Sequence, residues 1–144
     1  MSSDKDHALT EKVIGFAMKV HRTLGPGFLE SVSLNALVHE LRRAGFSAET
    51  GQRITVRYEN IIAGEFIADL IVDEVLLCEL KAISSLSKAD EVQMVNYLTA
   101  TNRDLGLLLN FGAPSLQFER KFRRSASQPQ SVDLQNPINP VNPV

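Results

Sequence analysis

The chain has 144 residues, about one domain, and its 44% apolar and 22% charged shares exclude a collagen-like or wholly disordered protein. With 15 Lys and Arg against 17 Asp and Glu, the formal net charge is −2, which excludes capture of a polyanion by overall charge alone and demands a local basic patch instead. The single cysteine, Cys78, forms no intramolecular disulfide, and neither a signal-peptide pattern nor an apolar run of about 18 residues is present, so a cytoplasmic protein without membrane contact is expected.

Residues 1–9 read as a flexible start. From Thr10 to Leu24, Val13, Ile14, Ala17, Val20 and Leu24 recur at helical spacing, with Thr10 as N-cap and Gly25-Pro26-Gly27 as the stop. A second stripe of Leu29, Val32, Ala36, Leu37, Leu41 and Ala44 defines a helix ending at Gly45. The period then changes to two: Ile54, Val56 and Tyr58 alternate with Thr55 and Arg57 in a strand that turns at Glu59-Asn60. Glu65 to Val72 and Val75 to Ala82 are rich in Ile, Val and Leu and predict an antiparallel pair of well-covered strands. Ser87 and Asp90 form a capping-box-like start for a helix running to about Ala100, in which Val92, Val95 and Leu98 read as buried. Leu105 to Phe111 predicts another buried strand, Gly112-Ala113-Pro114 a turn, and Leu116 to Phe122 an edge strand. The order ααβββαββ predicts an α/β or α+β layer, with helices flanking a central mixed sheet, over residues 10–124. Residues 125–144 hold four of the six prolines among Gln, Asn and Ser, and are expected to form a disordered tail.

Three charges, Asp69, Glu79 and Lys81, interrupt the two most apolar strands. Buried charges are costly unless paired, hydrogen-bonded or bound to metal. Side chains on a strand repeat every second residue, so Glu79 and Lys81 share a face while Leu80 points away. Whether Asp69 joins them depends on hairpin register. A two-residue loop at Asp73-Glu74 sets Asp69 opposite Cys78; a three-residue loop from Asp73 to Val75 sets it opposite Glu79, as would a bulge. The three-residue or bulged register is expected, because two adjacent carboxylates make physical sense when a cation or Lys81 offsets their repulsion. Carboxylates with strand carbonyls and water suit Mg2+ or Mn2+, and Lys81 beside them suits phosphodiester chemistry. The alternative is structural: a Glu79–Lys81 ion pair at a strand end, with Asp69 capping a turn.

Asp69, nine intervening residues, Glu79-Leu80-Lys81, and then Gln93 and Tyr97 as Q-x-x-x-Y together resemble the signature of the PD-(D/E)XK nuclease superfamily. The phrases HRTLGPGFLES, FIADLIVDEVLLCELKAI, QMVNYL and LGLLLNFGAP are similar, more closely, to the small bacterial GxxExxY proteins of that superfamily, from about Val13 to Phe122. The resemblance implies a restriction-endonuclease-like core and a metal-dependent nuclease acting on nucleic acid, with DNA as the expected polymer. It implies metal sites at Asp69 and Glu79, a catalytic Lys81, an accessory acid and metal contact at Glu30, and substrate or metal-shell contacts from Gln93 and Tyr97. The family motif places a tyrosine three residues after its glutamate; here Gly27 and Glu30 are followed by Ser33. A competing expectation is a nuclease-fold module that binds nucleic acid or a protein with little cleavage, and a homodimer is compatible with both.

Other residues read as structural. His7, His21 and His39 lack metal-ligand spacing, and His21 sits favourably at a helix C-terminus. Cys78 reads as a small inert thiol. No GK[ST] follows the LGPG glycines, so they do not form a phosphate loop. Arg120, Lys121, Arg123 and Arg124 are expected to divide across both faces of the last strand, either as a solvated edge or as a phosphate-contacting patch that Lys19, Arg22, Arg42 and Arg43 could extend.

Overall fold

The computed structural model describes residues 3–123; the expected tail at 125–144, and Arg124, lie outside them. The elements are α1 (Asp4–Leu24), α2 (Glu30–Arg43), β1 (Ala48–Tyr58), β2 (Ile61–Val72), β3 (Leu76–Lys81), α3 (Lys88–Thr101), β4 (Leu105–Asn110) and β5 (Gln117–Phe122), in the expected order. One five-stranded sheet runs β1-β2-β3-β4-β5. Only β3 and β4 are parallel, joined by the α3 crossover, and every other neighbour is antiparallel. The result is an α+β fold built on a central mixed sheet, as expected.

Two layers cover the sheet. Val13, Ala17 and Val20 of α1 and Leu37 and Leu41 of α2 pack with Leu70, Cys78, Leu80, Leu107 and Leu109 on one face. Met94 and Leu98 of α3 pack with Ile71, Leu77 and Leu108 on the other. Strands covered on both faces need apolar residues at every position, which is why β3 and β4 read as continuous runs. Gly106 lets α3 sit close, since a Cβ there would lie 2.7 Å from the Met94 sulfur. Among the described residues no helix is long and apolar enough to cross a membrane.

Several local expectations change. Helix α1 starts at Asp4, with Ser3 accepting the Asp6 N–H, so part of the expected flexible start is helical. Thr10 is instead buried inside that helix, where its hydroxyl bonds the His7 carbonyl and accepts from Arg120. The α2 stripe is rotated: Ser33, Leu37, Val38 and Leu41 face the core while Leu29 and Val32 are exposed. On α3, Val92 points outward and Met94 and Leu98 are the buried residues. The capping box is as expected, with Ser87 and Asp90 each accepting the other's backbone N–H.

Candidate active site

The sheet splits at the site. Strands β2 and β3 pair through Val72↔Leu76, Ile71↔Leu77 and Leu70↔Cys78, the register set by a three-residue connection from Asp73 to Val75. One step further Asp69 meets Glu79, but side chains replace the ladder there. The Leu80 N–H donates to Asp69 Oδ2 at 2.8 Å, and the Asp69 N–H reaches Glu79 Oε2 at 3.4 Å. The alternation of β2 also slips at Asp69: Leu70 and Val72 join the α1–α2 layer, whereas both Ile71 and Ala68 join the α3 layer. Across from Asp69, between the Thr50↔Leu70 and Gln52↔Ala68 pairs, Gly51 takes a φ of 70°, a backbone state suited to glycine. Of the two expected devices it is the three-residue loop that sets this register; the β1–β2 pairing shifts between Val56 and Arg57, away from Asp69.

Burial first, and the neighbouring Asp69 charge second, push Glu79 up to about 8, and the more distant Lys81 opposes this only weakly. Glu79 and Lys81 share the α3 face, and Leu80 points into the α1–α2 core, as period two requires. Lys81 does not pair with Glu79. Its Nζ lies 3.7 Å from Asp90 Oδ1, at the first turn of α3. Burial works against the Asp90 charge, but the Ser87 backbone N–H, the Ser87 hydroxyl and Lys81 together hold its carboxyl below the usual range. One carboxylate thus starts the helix and anchors the lysine.

Tyr97 comes from the next two turns of α3 and stacks on Phe66 of β2, ring centroids 3.6 Å apart and planes 14° from parallel. Burial, then the Glu79 and Asp69 charges, raise its phenol pKa. Gln93 lies between Asp90 and Tyr97 on that helix face and is half-buried. Glu30 is placed apart from these. It opens α2, in the other layer, and is exposed in a groove of about 660 Å³ that it shares with Phe28, Leu29 and residues Ala82 to Ser84 just beyond Lys81. Among the described residues, no three His, Cys, Asp or Glu side chains gather into a group able to hold a metal.

The segment following Lys81 is pinned. Buried Asn110 accepts the Ile83 and Gly112 N–H groups through Oδ1, at 3.0 Å each, and donates to the Ile83 carbonyl and Gln117. Gln117 in turn accepts the Leu86 N–H at 2.9 Å.

A family model described as the PD-(D/E)XK nuclease superfamily matches residues 7–124. The chain belongs to that superfamily. No curated protein and no solved structure is matched. Nucleases of this superfamily typically use divalent metals, and the donor set fits one: two carboxylates abut, one pushed towards protonation by burial and then by the other's charge, while the nearest ammonium is engaged by Asp90. A cation between them would reverse that penalty.

In the sequence of this PD-(D/E)XK chain Asp90 has the marks of a helix cap alone, and Phe66, Asn110 and Gln117 carry no functional signal. The further signal for Asp90 lies in the short connection from β3 to α3, which returns the helix start to the strand end that carries Lys81. The remaining candidates are structural. His21 bonds the Ala113 carbonyl at 2.9 Å beside Phe111, and burial raises the Cys78 thiol pKa, keeping it inert. The basic residues are largely engaged. Arg120 bonds Thr10 on one face, Lys121 meets Glu91 at 2.8 Å on the other, and Arg123 holds Asp104 at 2.7 Å. Lys19 and Arg43 both pair with Glu40, and Arg42 caps the Ala48 carbonyl.

Proposed function

We propose that this chain is a metal-dependent nuclease that hydrolyses phosphodiester bonds, with DNA as its polymer, of the GxxExxY type within the superfamily. The observation that carries the reading is the meeting of Asp69 and Glu79 across β2 and β3, with Lys81 on the same face. Asp69 and Glu79 would hold Mg2+ or Mn2+; a bound divalent ion supplies Lewis acidity at the phosphate and a more acidic water. Lys81 orients the attacking water and balances charge that builds on the phosphate oxygens, held in place by Asp90. Gln93 and Tyr97 offer an amide and a phenol to the phosphate from the facing helix. Glu30 acts from the groove beyond Lys81, as an accessory acid working through water or as a contact to a second ion. Ser33, where the family motif has tyrosine, is a buried α2 residue, so the missing phenol belongs to the helix–sheet packing and not to the carboxylate pair.

Calorimetric titration with Mn2+ tests the site. Native protein binds, and Asp69→Asn abolishes binding; binding that persists in Asp69→Asn places the ion elsewhere. A second reading, a nuclease-fold module that binds a protein partner with little cleavage, is favoured by one observation: Arg120, Lys121 and Arg123 are tied to acceptors within the chain and not left open for phosphate. Under that reading the native chain shows no metal-dependent cleavage.

A further inference from the structure

Strand β3 ends at Lys81 and helix α3 begins beyond the Ser87 cap, so residues 82–86 decide where Lys81 stands relative to Asp90, whose Oδ1 lies 3.7 Å from the Lys81 Nζ. That connection has no ladder of its own. Among the described residues, Ile83 to Leu86 make no backbone–backbone hydrogen bond. Two side-chain amides hold their backbone to the rest of the protein instead. Asn110 accepts the Ile83 N–H at 3.0 Å and donates to the Ile83 carbonyl at 2.9 Å, and Gln117 accepts the Leu86 N–H at 2.9 Å. One tie lies just after Lys81 and the other just before the first turn of α3, which carries Asp90.

The tie is directional. Asn110 is fully buried at the end of the leucine-rich β4, where an apolar side chain would fill the space without a polar cost. Its amide uses its whole capacity of donors and acceptor sites, on the Ile83 and Gly112 N–H groups, the Ile83 carbonyl and, at 2.8 Å, Gln117 Oε1. Because the same Gln117 oxygen accepts the Leu86 N–H, neither amide can turn over without leaving a partner unpaired. Asn110 is the register partner of Lys81 across β3 and β4, and it follows Leu108 of the α3 layer by two residues, so it stands beside Lys81 on that face. Across β4 and β5 its partner is Gln117. Gly112 lets the connection lie flush, since a Cβ there would come within 2.4 Å of the Ile83 nitrogen.

We infer that Asn110 and Gln117 are positioning residues: by fixing the connection from Lys81 to α3 they set the Lys81 ammonium against Asp90 and beside the Asp69–Glu79 pair. Their effect on turnover rests on the nuclease reading, and their effect on the place of Lys81 does not. A displacement of about 1 Å at a reacting group can cost about 100-fold in rate.

Gln117 is only half-buried, so it can be changed without opening the core. Gln117→Leu removes both acceptor contacts, whereas Gln117→Glu keeps them, because a carboxylate accepts from Leu86 and Asn110 alike. Asn110→Asp keeps the two N–H contacts but sets an oxygen against the Ile83 carbonyl and Gln117. Each full chain is read by NMR, for amide exchange at Ile83 and Leu86 and for the nuclear Overhauser contact between the Lys81 and Asp90 side chains, by melting temperature, and by kcat and KM of Mn2+-dependent DNA cleavage. Gln117→Leu and Asn110→Asp should speed exchange in the connection by about tenfold or more, weaken the Lys81–Asp90 contact, and lower kcat by about tenfold or more at near-native KM, while Gln117→Glu matches the native protein. Absence of that contact in the native chain, its persistence in Gln117→Leu, a loss of turnover that Gln117→Glu shares, or turnover that falls only in step with the melting temperature overturns the inference. A native chain that cleaves nothing overturns the nuclease reading, and the exchange and Overhauser measurements still decide what places Lys81.

Discussion

Replacing Glu79 by Gln should remove a pH dependence that the carboxylate pair builds into folding. Glu79 ionises near 4.5 in an unfolded chain but only at about 8 in the folded protein, because burial and Asp69 disfavour its charge. Below the lower value both states hold the proton. Between the two values the unfolded chain releases it and the folded one keeps it, so stability is full below 4.5 and is lost as pH rises to about 8. Each pH unit is worth up to about 1.4 kcal/mol, so the interval corresponds to about 5 kcal/mol, a large share of the ~5–15 kcal/mol that holds a domain together. Glu79→Gln keeps the shape and an acceptor for the Asp69 N–H while it removes the charge. Urea unfolding in EDTA, between about pH 5 and about pH 9, should show native stability falling steeply and the variant nearly flat. Excess Mn2+ should restore the native protein at the alkaline end by binding the ionised pair. A native curve without slope, or a slope unchanged in Glu79→Gln, refutes the reasoning.

Two other substitutions separate positioning from stability. Asp90→Ala removes both the α3 cap and the Lys81 partner, whereas Ser87→Ala removes only the cap; each should cost about 1 kcal/mol in urea unfolding, but only Asp90→Ala should lower the turnover of metal-dependent cleavage. Gly112→Ala drives a methyl into the Ile83 backbone, with the Ala82 carbonyl carbon 2.5 Å away, and should destabilise by about 1–3 kcal/mol, read as a lowered melting temperature.

Much of the fold is legible in period and punctuation: the LGPG stop, the change from helical to alternating spacing after Gly45, and the Ser87–Asp90 box each mark an element that exists. What spacing misses is decided by tertiary contact. Thr10 has the chemistry of an N-cap, yet Ser3 takes that role because Arg120 from the last strand claims the Thr10 hydroxyl inside the helix. Val92 looks like a core residue, but Gly106 admits Met94 instead and turns Val92 to solvent. At the site, period two correctly joins Glu79 to Lys81, and loop arithmetic correctly brings Asp69 across. Spacing reads Asp90 only as a helix cap; its pairing with Lys81 follows from the short β3–α3 connection, which sets the first turn of α3 beside the end of β3.

Cleavage by the native chain and by Lys81→Ala, across single- and double-stranded DNA and RNA with and without Mn2+, tests the central claim most directly. The account predicts metal-dependent cleavage of DNA by the native chain that Lys81→Ala loses by about 100-fold or more. Identical behaviour of the two proteins, or no cleavage of any polymer by the native chain, would contradict it.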